Sequence, residues 1–421
     1  MSTPATVAVP ASAPSAASSS RTGYYALLIL SLINLVNYLD RYIVTVALPY
    51  IKQDFQLTNT QAGYLGSFFM IVFMLASPIS GFLGDRLPRR YLVAAGVLLW
   101  SLATGASGLA KTFVVLMVAR ACVGIGEAGY GAVAPSIISD LFPRQQRTRV
   151  LSFFYIAIPV GAAVGYGLGG WLSQAYSWHM AFFVGGAPGL VLGTMALFMP
   201  EPQRGAMDGP EAQTKLPFAV GLKGLANNAS FWWTTAGYTL MTFAIGGLGY
   251  WLPTFLVSER GMTLGEAGFS SGAVTATAGL LGTLVGGWLG DKMDRRAQGG
   301  GLRMSGVGLL IAAPLMFLST KVGSHAPMFA IIFLAQFFIF LNSGPINAAI
   351  VNGVPPAFRA FAMGLNVLFI HMLGDAISPT AIGKVADLSS LSFAIEINAL
   401  PVLLGGLALL MAGKLFKHVT A

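Results

Sequence analysis

The sequence GFLGDRLPRR at residues 81–90 returns as GWLGDKMDRR at residues 287–296. The two copies lie 206 residues apart, which is about half the length of the chain. Their alignment pairs Gly81 with Gly287, Asp85 with Asp291, Arg89 with Arg295, and Arg90 with Arg296. A repeat at this period indicates one structural unit that occurs twice along the chain.

A second, shorter sequence repeat supports the duplication. Pro143 and Arg147 correspond to Pro355 and Arg359 at an offset of 212 residues. The similar offsets predict two six-helix bundles of parallel topology, joined by a more polar connection. The expected organisation is a disordered cytoplasmic tail at residues 1–23, an N-terminal bundle at 24–200, a cytoplasmic linker at 201–229, and a C-terminal bundle at 230–421.

The composition is that of a membrane protein. Of the 421 residues, 55% are hydrophobic and only 9% are charged, whereas soluble domains have about 25% charged residues. The apolar runs are much longer than the ~10-residue strands of an outer-membrane barrel, so the fold class is all-α integral membrane. The sparse charges form no continuous basic face, which excludes a nucleic-acid-binding protein. The single cysteine, Cys122, excludes an internal disulfide and a cysteine-based metal site.

The apolar runs predict twelve transmembrane helices. We expect them at residues 24–50, 59–84, 91–110, 112–141, 146–173, 177–199, 230–257, 263–290, 303–321, 325–352, 358–384 and 391–414. Of the 24 Lys and Arg residues, seventeen fall in loops on the side of the N-terminus and five on the opposite side. This bias predicts a multi-pass protein of the inner (plasma) membrane with both termini in the cytoplasm.

Four ionisable residues interrupt the apolar runs near the middle of the membrane. Asp40 and Arg41 lie late in the first run, and Arg120 and Glu127 lie in the fourth. A charge at bilayer depth costs ~2.5–3.5 kcal/mol or more, so it usually marks a partner charge, a pathway or a proton relay. Counting along the helices puts Asp40 and Arg120 at the same level. Arg120 can therefore pair with Asp40, while Arg41 or a water chain serves Glu127.

This cluster is suited to a transport site. Asp40 and Glu127 are the candidates for proton coupling, and Arg41 and Arg120 are candidates for binding an anionic group. A purely structural ion network is the alternative interpretation.

Further polar groups in the runs are candidates for the pocket. Substrate-binding candidates on the first, seventh and tenth helices are Asn34, Asn37, Tyr38, Tyr238 and Asn342. His371 and Asp375 are four residues apart on one face of the eleventh helix, where they could relay protons or form a structural bridge. The tenth helix carries Phe337, Phe338 and Phe340 but no charge, so the predicted cavity has a charged N-terminal wall and an aromatic C-terminal wall.

The loop signature and the duplicated plan resemble the major facilitator superfamily over essentially the whole chain. Within it, NYLDR at residues 37–41 and RACVGIGEAGY at residues 120–130 resemble the spinster branch, whose members move lysophospholipids and sphingosine phosphate. The resemblance implies alternating access and a cytoplasmic latch between the two halves. The gating residues that it suggests are Asp85, Arg86, Arg89, Arg90, Arg147, Asp291, Arg295, Arg296 and Arg359.

These observations favour a secondary active transporter, and not an enzyme. We expect proton-coupled movement of an amphipathic or anionic substrate, such as a lysolipid, by a monomer without a cofactor. The first alternative is a proton-driven exporter of drugs or small organic acids. The second is a membrane receptor or enzyme that does not transport, although the sequence has no catalytic triad, paired catalytic acids or metal-ligand spacing.

Overall fold

The computed structural model describes residues 16–84, 86–131, 133–142, 144–203, 218–354 and 359–417, and every regular element in these ranges is a helix. The N-terminal half contains α1 Ala16–Phe55, α2 Asn59–Gly84, α3 Arg89–Ser107, α4 Phe113–Gly131, α5 Ala134–Leu141, α6 Arg144–Ala175 and α7 Trp178–Ala196. The C-terminal half contains α8 Phe218–Ala226, α9 Ala229–Arg260, α10 Leu264–Arg296, α11 Gly300–Ser319, α12 His325–Phe340, α13 Ser343–Asn352, α14 Arg359–Ile370, a π-helical turn His371–Asp375, α15 Ser378–Leu388, α16 Leu391–Ile397 and α17 Ala399–Leu415.

Twelve helical segments in the described ranges account for the predicted membrane crossings. Eleven of them are long and apolar enough to span a bilayer by composition alone. The twelfth is α3, which packs against α4 and α7 and buries Ser101 and Thr104. Its polar residues face protein, so it does not need the hydropathy of a lipid-exposed helix. The all-α fold of twelve transmembrane helices is confirmed.

Four of the predicted helices are interrupted, and each has a break beside a proline. The fourth crossing helix divides into α4 and α5 ahead of Pro135, and the tenth divides into α12 and α13 ahead of Pro345. The eleventh divides into α14, the π-helical turn and α15 ahead of Pro379, and the twelfth divides into α16 and α17 ahead of Pro401. Proline lacks a backbone N–H and restricts the residue before it, so a helix is kinked or ended there. The predicted spans at 112–141, 325–352, 358–384 and 391–414 are therefore present, but each consists of more than one helical segment.

Two predicted boundaries also differ from the structure. Helix α1 begins at Ala16, inside the tail predicted at residues 1–23, because Ala and Ser residues between Pro14 and Tyr24 do not oppose helix formation. The predicted linker at 201–229 contains α8, whose Leu225 is buried against the bundle. Residues 1–15 and 204–217 lie outside the described residues.

The two halves contact each other mainly toward one side of the membrane. We call the side with both chain termini the inner side and the opposite side the outer side. On the outer side α6 packs on α10, and α2 packs on α15. The approach of α2 and α15 is so close that a Cβ atom on Gly63 would lie 2.6 Å from the Pro379 carbonyl oxygen. Only glycine fits this contact without a shift of the backbone.

Two helix caps cross between the halves on the outer side. Asp387 at the end of α15 accepts hydrogen bonds from Asn59 N at 2.7 Å, Thr60 N at 2.7 Å and Thr60 Oγ1 at 2.6 Å. Gln174 at the end of α6 accepts from Gly265 N at 2.7 Å. Asn59 and Gly265 are themselves 206 residues apart, so the two caps are repeat-related. Each half thus satisfies free N–H groups at a helix start of the other half.

Further hydrogen bonds between described residues of the two halves lie between these caps and the centre of the molecule. Tyr250 donates to the Ala62 carbonyl at 2.7 Å, Thr380 donates to Ser67 at 2.8 Å, and Tyr166 donates to the Gly249 carbonyl at 2.5 Å. Together with the two caps, these hydrogen bonds close the halves on the outer side.

We expect Asp387→Ala to weaken the closure of the outer side. Loss of an N-cap costs ~1 kcal/mol, so the ratio of outer-closed to outer-open molecules should fall about fivefold. Spin labels on cysteines introduced at Gln53 and Lys384, both exposed at the outer end, would report the ratio as a distance distribution in a Cys122→Ser background.

Asp54→Ala is the matched control. Asp54 lies at the same outer end, but its carboxylate accepts a hydrogen bond from Trp178 Nε1 within the N-terminal half. The distance distribution of the spin-labelled Asp54→Ala protein should equal that of the spin-labelled protein that keeps Asp54. If Asp387→Ala also left the distribution unchanged, the cap would have no part in closure.

Candidate functional site

Two buried ion pairs link α1 and α4 inside the N-terminal half. Arg120 Nη1 lies 3.2 Å from Asp40 Oδ2, and Arg41 Nε lies 2.7 Å from Glu127 Oε2. Asp40, Arg120 and Glu127 are each only 1% exposed. The Asp40–Arg120 pair is the one that the sequence predicted from depth, and of the two alternatives for Glu127 the structure has the direct contact with Arg41. The four charges cancel.

Neither pair uses all of its hydrogen-bonding capacity. Among the described residues, Asp40 Oδ1, Glu127 Oε1 and Arg120 Nε are buried and have no partner. Fully satisfied ion pairs would hold every polar atom, because an unpaired buried polar atom costs ~1–3 kcal/mol. Each carboxylate therefore keeps one oxygen free while the other holds an arginine.

Aromatic rings of α1 and α2 hold the two guanidinium groups. Arg41 Cζ lies 4.9 Å from the ring centroid of Phe73 and 5.3 Å from those of Phe69 and Tyr38. Arg120 Cζ lies 5.1 Å from the Phe69 centroid, so Phe69 contacts both arginines. Cation–π contacts of this kind strengthen when water is excluded. They keep the arginines in place without adding negative charge.

A cavity of about 280 Å³ lies between the halves at the level of these pairs. The N-terminal half lines it with Tyr38, Arg41, Tyr42, Val44, Thr45, Leu65, Gly66, Phe69, Met70 and Arg120. Both arginines thus face the cavity. Asp40 and Glu127 do not line it and lie behind the arginines. A ligand in the cavity meets the cations first.

The opposite wall comes from the C-terminal half. It consists of Thr242, Ile245, Gly246, Leu248, Gly249, Tyr250, Thr275, Gln336, Ile339, Phe340, His371, Asp375 and Pro379. His371 Nδ1 lies 3.0 Å from Asp375 Oδ2, and both side chains belong to the π-helical turn. The tenth helix adds no charge to this wall, as predicted, and the acidic group comes from the possible relay pair on the eleventh helix. The wall is less aromatic than predicted, since Tyr250 and Phe340 are the Phe, Tyr or Trp residues among its described lining residues.

Of the predicted pocket residues outside the charged cluster, Tyr38 lines the cavity and four do not. Asn34 donates to the Phe154 carbonyl at 3.1 Å, and Asn37 is 4% exposed. Asn342 donates to the Ile339 carbonyl at 2.9 Å, where it satisfies the broken end of α12. Tyr238 lies against Asn347. No contact with the cavity supports a binding role for these four residues.

Several lining residues escaped the sequence interpretation. Tyr42 and Thr45 follow Tyr38 and Arg41 by one helical turn, so helical spacing could have found them. Phe69 and Thr275 sit in runs of similar residues, and no pattern distinguishes them. Among the described residues no group of three or more His, Cys, Asp or Glu side chains could hold a metal ion.

The predicted inner latch is only partly within the described residues. Arg89 is 3% exposed and holds Asp140 Oδ2 at 2.6 Å and Glu201 Oε1 at 3.3 Å, both in its own half. Arg86 and Arg90 lie beside Phe82 and Tyr91, and Arg90 N donates to Glu201 Oε2 at 2.9 Å. Asp291, Arg295 and Arg296 are exposed. Asp85 and the side chains of Arg147 and Arg359 lie outside the described residues.

Residues 30–379 match the sequence profile of the Major Facilitator Superfamily. Protein spinster of Drosophila melanogaster is 35% identical over 381 residues, which cover 87% of this chain and 62% of the fly protein. Protein spinster homolog 1 of Homo sapiens is 36% identical over 390 residues, which cover 85% of this chain and 72% of the human protein.

A solved structure has the same fold. It is the crystal structure of a bacterial homolog to the human lysosomal transporter spinster, in an inward-facing and unoccupied conformation. It superimposes with a TM-score of 0.85 at 24% identity and covers 94% of this chain and 98% of its own. Its occupied inward-facing form has a TM-score of 0.78. The outer closure described above agrees with this class of conformation.

We expect the Asp40–Arg120 pair to show strong coupling in protein stability. Arg120→Gln leaves the Asp40 carboxylate buried without its counter-charge, which should lower the free energy of unfolding by about 3–5 kcal/mol. Asp40→Asn combined with Arg120→Gln leaves two neutral amides and should recover most of this loss. Chemical unfolding of the purified protein in detergent would measure all three variants.

The Arg41–Glu127 pair provides a parallel cycle with Arg41→Gln and Glu127→Gln. Because Arg41 is partly exposed to the cavity, its coupling should be the smaller of the two. If the loss of unfolding free energy in a double variant equalled the sum of the losses in its two single variants, the two residues of that pair would not stabilise each other.

Proposed function

The chain belongs to the major facilitator superfamily and, within it, to the spinster proteins, and we propose that this transporter couples proton movement to the transport of an amphipathic anion. Alternating access of two six-helix halves, 24–200 and 230–421, would carry the substrate. The lysolipid class is the substrate that the spinster relationship suggests. The observation that carries the proposal is the order of the charges, with arginines at the cavity and carboxylates behind them.

Competition for the arginines is the proposed coupling step. An anionic group that enters the cavity reaches Arg41 and Arg120 before it reaches any carboxylate of the cluster. Contact with the anion draws each guanidinium away from Asp40 or Glu127. A carboxylate that loses its only counter-charge in a buried position carries an uncompensated charge, which costs about 3–5 kcal/mol.

A proton removes that cost. Asp40 Oδ1 and Glu127 Oε1 are free to accept a proton even while the other oxygen is still hydrogen-bonded. Binding of the anion therefore favours uptake of a proton, and release of the anion favours its loss. Substrate and proton should occupy the cavity together, which is the requirement for movement in the same direction.

The cavity is suited to an amphiphile because its two arginines are set among mainly apolar side chains. Leu65, Phe69 and Met70 line the N-terminal wall near the arginines, and Ile245, Leu248 and Phe340 belong to the opposite wall. An anionic head on the arginines would leave an apolar tail in contact with these groups.

The cellular arrangement follows from the loop charges. The excess of Lys and Arg on the inner side supports cytoplasmic termini and a plasma (inner) membrane location. Asp291, Arg295 and Arg296 are exposed on that side and would be available to the inner latch after the halves rock together. We propose that the protein works as a monomer, since each chain holds both halves of the cavity.

One observation favours a second candidate function. Asp375 faces the cavity from the C-terminal half, where it pairs with His371 and is close enough to Arg41 for the two charges to interact. Its carboxylate offers a cation a binding group on this wall of the cavity. A proton-driven exporter of cationic drugs would use this side of the cavity. Small organic acids would use the arginines instead.

We expect Glu127→Gln and Asp40→Asn to uncouple transport from the pH gradient. Proteoliposomes with a labelled lysophospholipid would measure flux with and without a gradient, and a weakly buffered detergent solution would measure proton uptake on lysophospholipid addition. The residue that carries the proton should lose both signals when it becomes an amide.

Asp54→Asn is the control for this experiment, because Asp54 is outside the cavity and binds Trp178. It should retain gradient-driven flux. Full gradient dependence in both Glu127→Gln and Asp40→Asn would exclude these residues from coupling. Lysophospholipid flux that never responds to a gradient would refute proton coupling itself.

Parallel flux of a small cationic dye tests the second candidate. If the protein moves amphipathic anions, Asp375→Asn should leave lysophospholipid flux largely intact and Arg120→Gln should abolish it. If it moves cationic drugs, dye flux should occur in the unsubstituted protein and disappear in Asp375→Asn. Transport of the dye without any lysophospholipid flux would overturn the primary proposal.

A further inference from the structure

We propose that a groove on the lipid-facing surface of the N-terminal half binds one acyl chain of an anionic membrane phospholipid, whose phosphate contacts Arg86 and Arg90. The groove lies between α2, α3 and α4 and has a volume of about 450 Å³. It shares no lining residue with the central cavity. The lipid is therefore a resident of the surface and not the transported substrate.

The groove is concave because the helices beneath it approach closely. Its rims are leucine and isoleucine side chains of α2 and α3, and its floor includes Gly96, Gly126 and Gly129. A Cβ atom on Gly96 would lie 2.6 Å from the Gly126 carbonyl oxygen. Large rim side chains beside a floor of backbone produce a channel, whereas an ordinary lipid-facing surface is covered by side chains.

The length of the groove matches one leaflet. Along α2 its lining extends from Val72 to Leu83, which is ~16 Å at 1.5 Å per residue. Half of a hydrocarbon core of about 30 Å is about the same length. Ser80 is the only hydroxyl in the lining, and Leu75 and Ile79 are 68% and 62% exposed. An extended acyl chain of the inner-side leaflet fits this apolar channel.

Two arginines lie at the inner end of the groove. Arg86 lies in the turn after α2, and its Cζ lies 3.4 Å from the ring centroid of the exposed Phe82. Arg90 lies over Tyr91, next to the groove residue Leu92.

The charge of these arginines indicates an anionic headgroup. The Arg90 guanidinium donates a hydrogen bond from Nη2 to Tyr91 Oη at 3.0 Å, and among the described residues its side chain has no ion pair with a carboxylate. The nearby carboxylate Glu201 is bound by the Arg89 side chain and by Arg90 N, so it does not neutralise the Arg90 guanidinium. Two cations at headgroup depth favour an anionic phospholipid over a zwitterionic one.

Photolabelling of the full chain in proteoliposomes tests this site. The probe is phosphatidylglycerol with a diazirine near the end of one acyl chain, and mass spectrometry locates the label. We expect the label to concentrate in the segments Val72–Leu83 and Leu92–Leu99. Excess unlabelled phosphatidylglycerol should compete better than phosphatidylcholine, and Arg86→Gln and Arg90→Gln should each reduce this preference about fivefold, the equivalent of ~1 kcal/mol.

Matched variants separate the groove from general lipid contact. Ala95 is exposed within the groove, so Ala95→Trp should fill it and remove the label. Ala106 is exposed on the same helix outside the groove, so Ala106→Trp should leave the label unchanged. Arg296→Gln, the repeat counterpart of Arg90, should leave the lipid preference unchanged.

Three results would overturn the proposal. The label could be spread over all lipid-facing helices, it could persist in Ala95→Trp, or phosphatidylcholine could compete as well as phosphatidylglycerol. The thermal stability of Ala95→Trp should equal that of Ala106→Trp. If it does not, the groove is tested instead by Leu99→Ala, which widens it and should weaken labelling. Unchanged labelling in Leu99→Ala would then count against the site.

Discussion

The mutual neutralisation of four buried charges is the constraint on which the N-terminal half depends. Asp40 and Arg41 are neighbours on α1, and their partners are seven residues apart on α4, so both pairs form only when the two helices are fixed in height. Helix α2 places Phe69 between the arginines and completes the cluster. A bundle with these charges unpaired would lose several kcal/mol for each pair in a membrane. The two pairs therefore hold α1 and α4 in register within the half.

The outer side is closed by hydrogen bonds that are individually weaker, but more numerous, than the two buried ion pairs. Backbone N–H groups at the starts of α2 and α10 are free in an isolated half, and each finds an acceptor at a helix end of the other half. Gly63 permits the approach that brings Asp387 into reach. Such caps cost little to break, because water replaces the lost acceptor at the surface. A transporter requires closure that is specific yet reversible, and exposed caps meet both conditions.

The two-bundle organisation and the buried ion pairs could be predicted from the sequence, because the repeated loop and the charged residues in the apolar runs each allow one structural arrangement. A repeat at half the chain length defines two bundles, and a membrane-buried acid such as Asp40 needs a cation at its own depth. Asn342 was ambiguous, because an amide can line a pocket or satisfy a broken helix end equally well. Its position three residues before Pro345 is consistent with the second role. Asp387 looked like any solvated charge, since only the approach of α2 gives its carboxylate a function.

The position of the carboxylates also determines how a leak of protons is prevented. Asp40 and Glu127 are each 1% exposed and do not line the cavity, whereas Arg41 and Arg120 do. In the proposed coupling step, a proton from the cavity would have to pass a guanidinium, and a cation repels it. Displacement of the arginine by an anion would remove this barrier and expose the free carboxylate oxygen at the same moment. Under this proposal the step that admits the substrate would also admit the proton, so neither should cross the membrane efficiently alone.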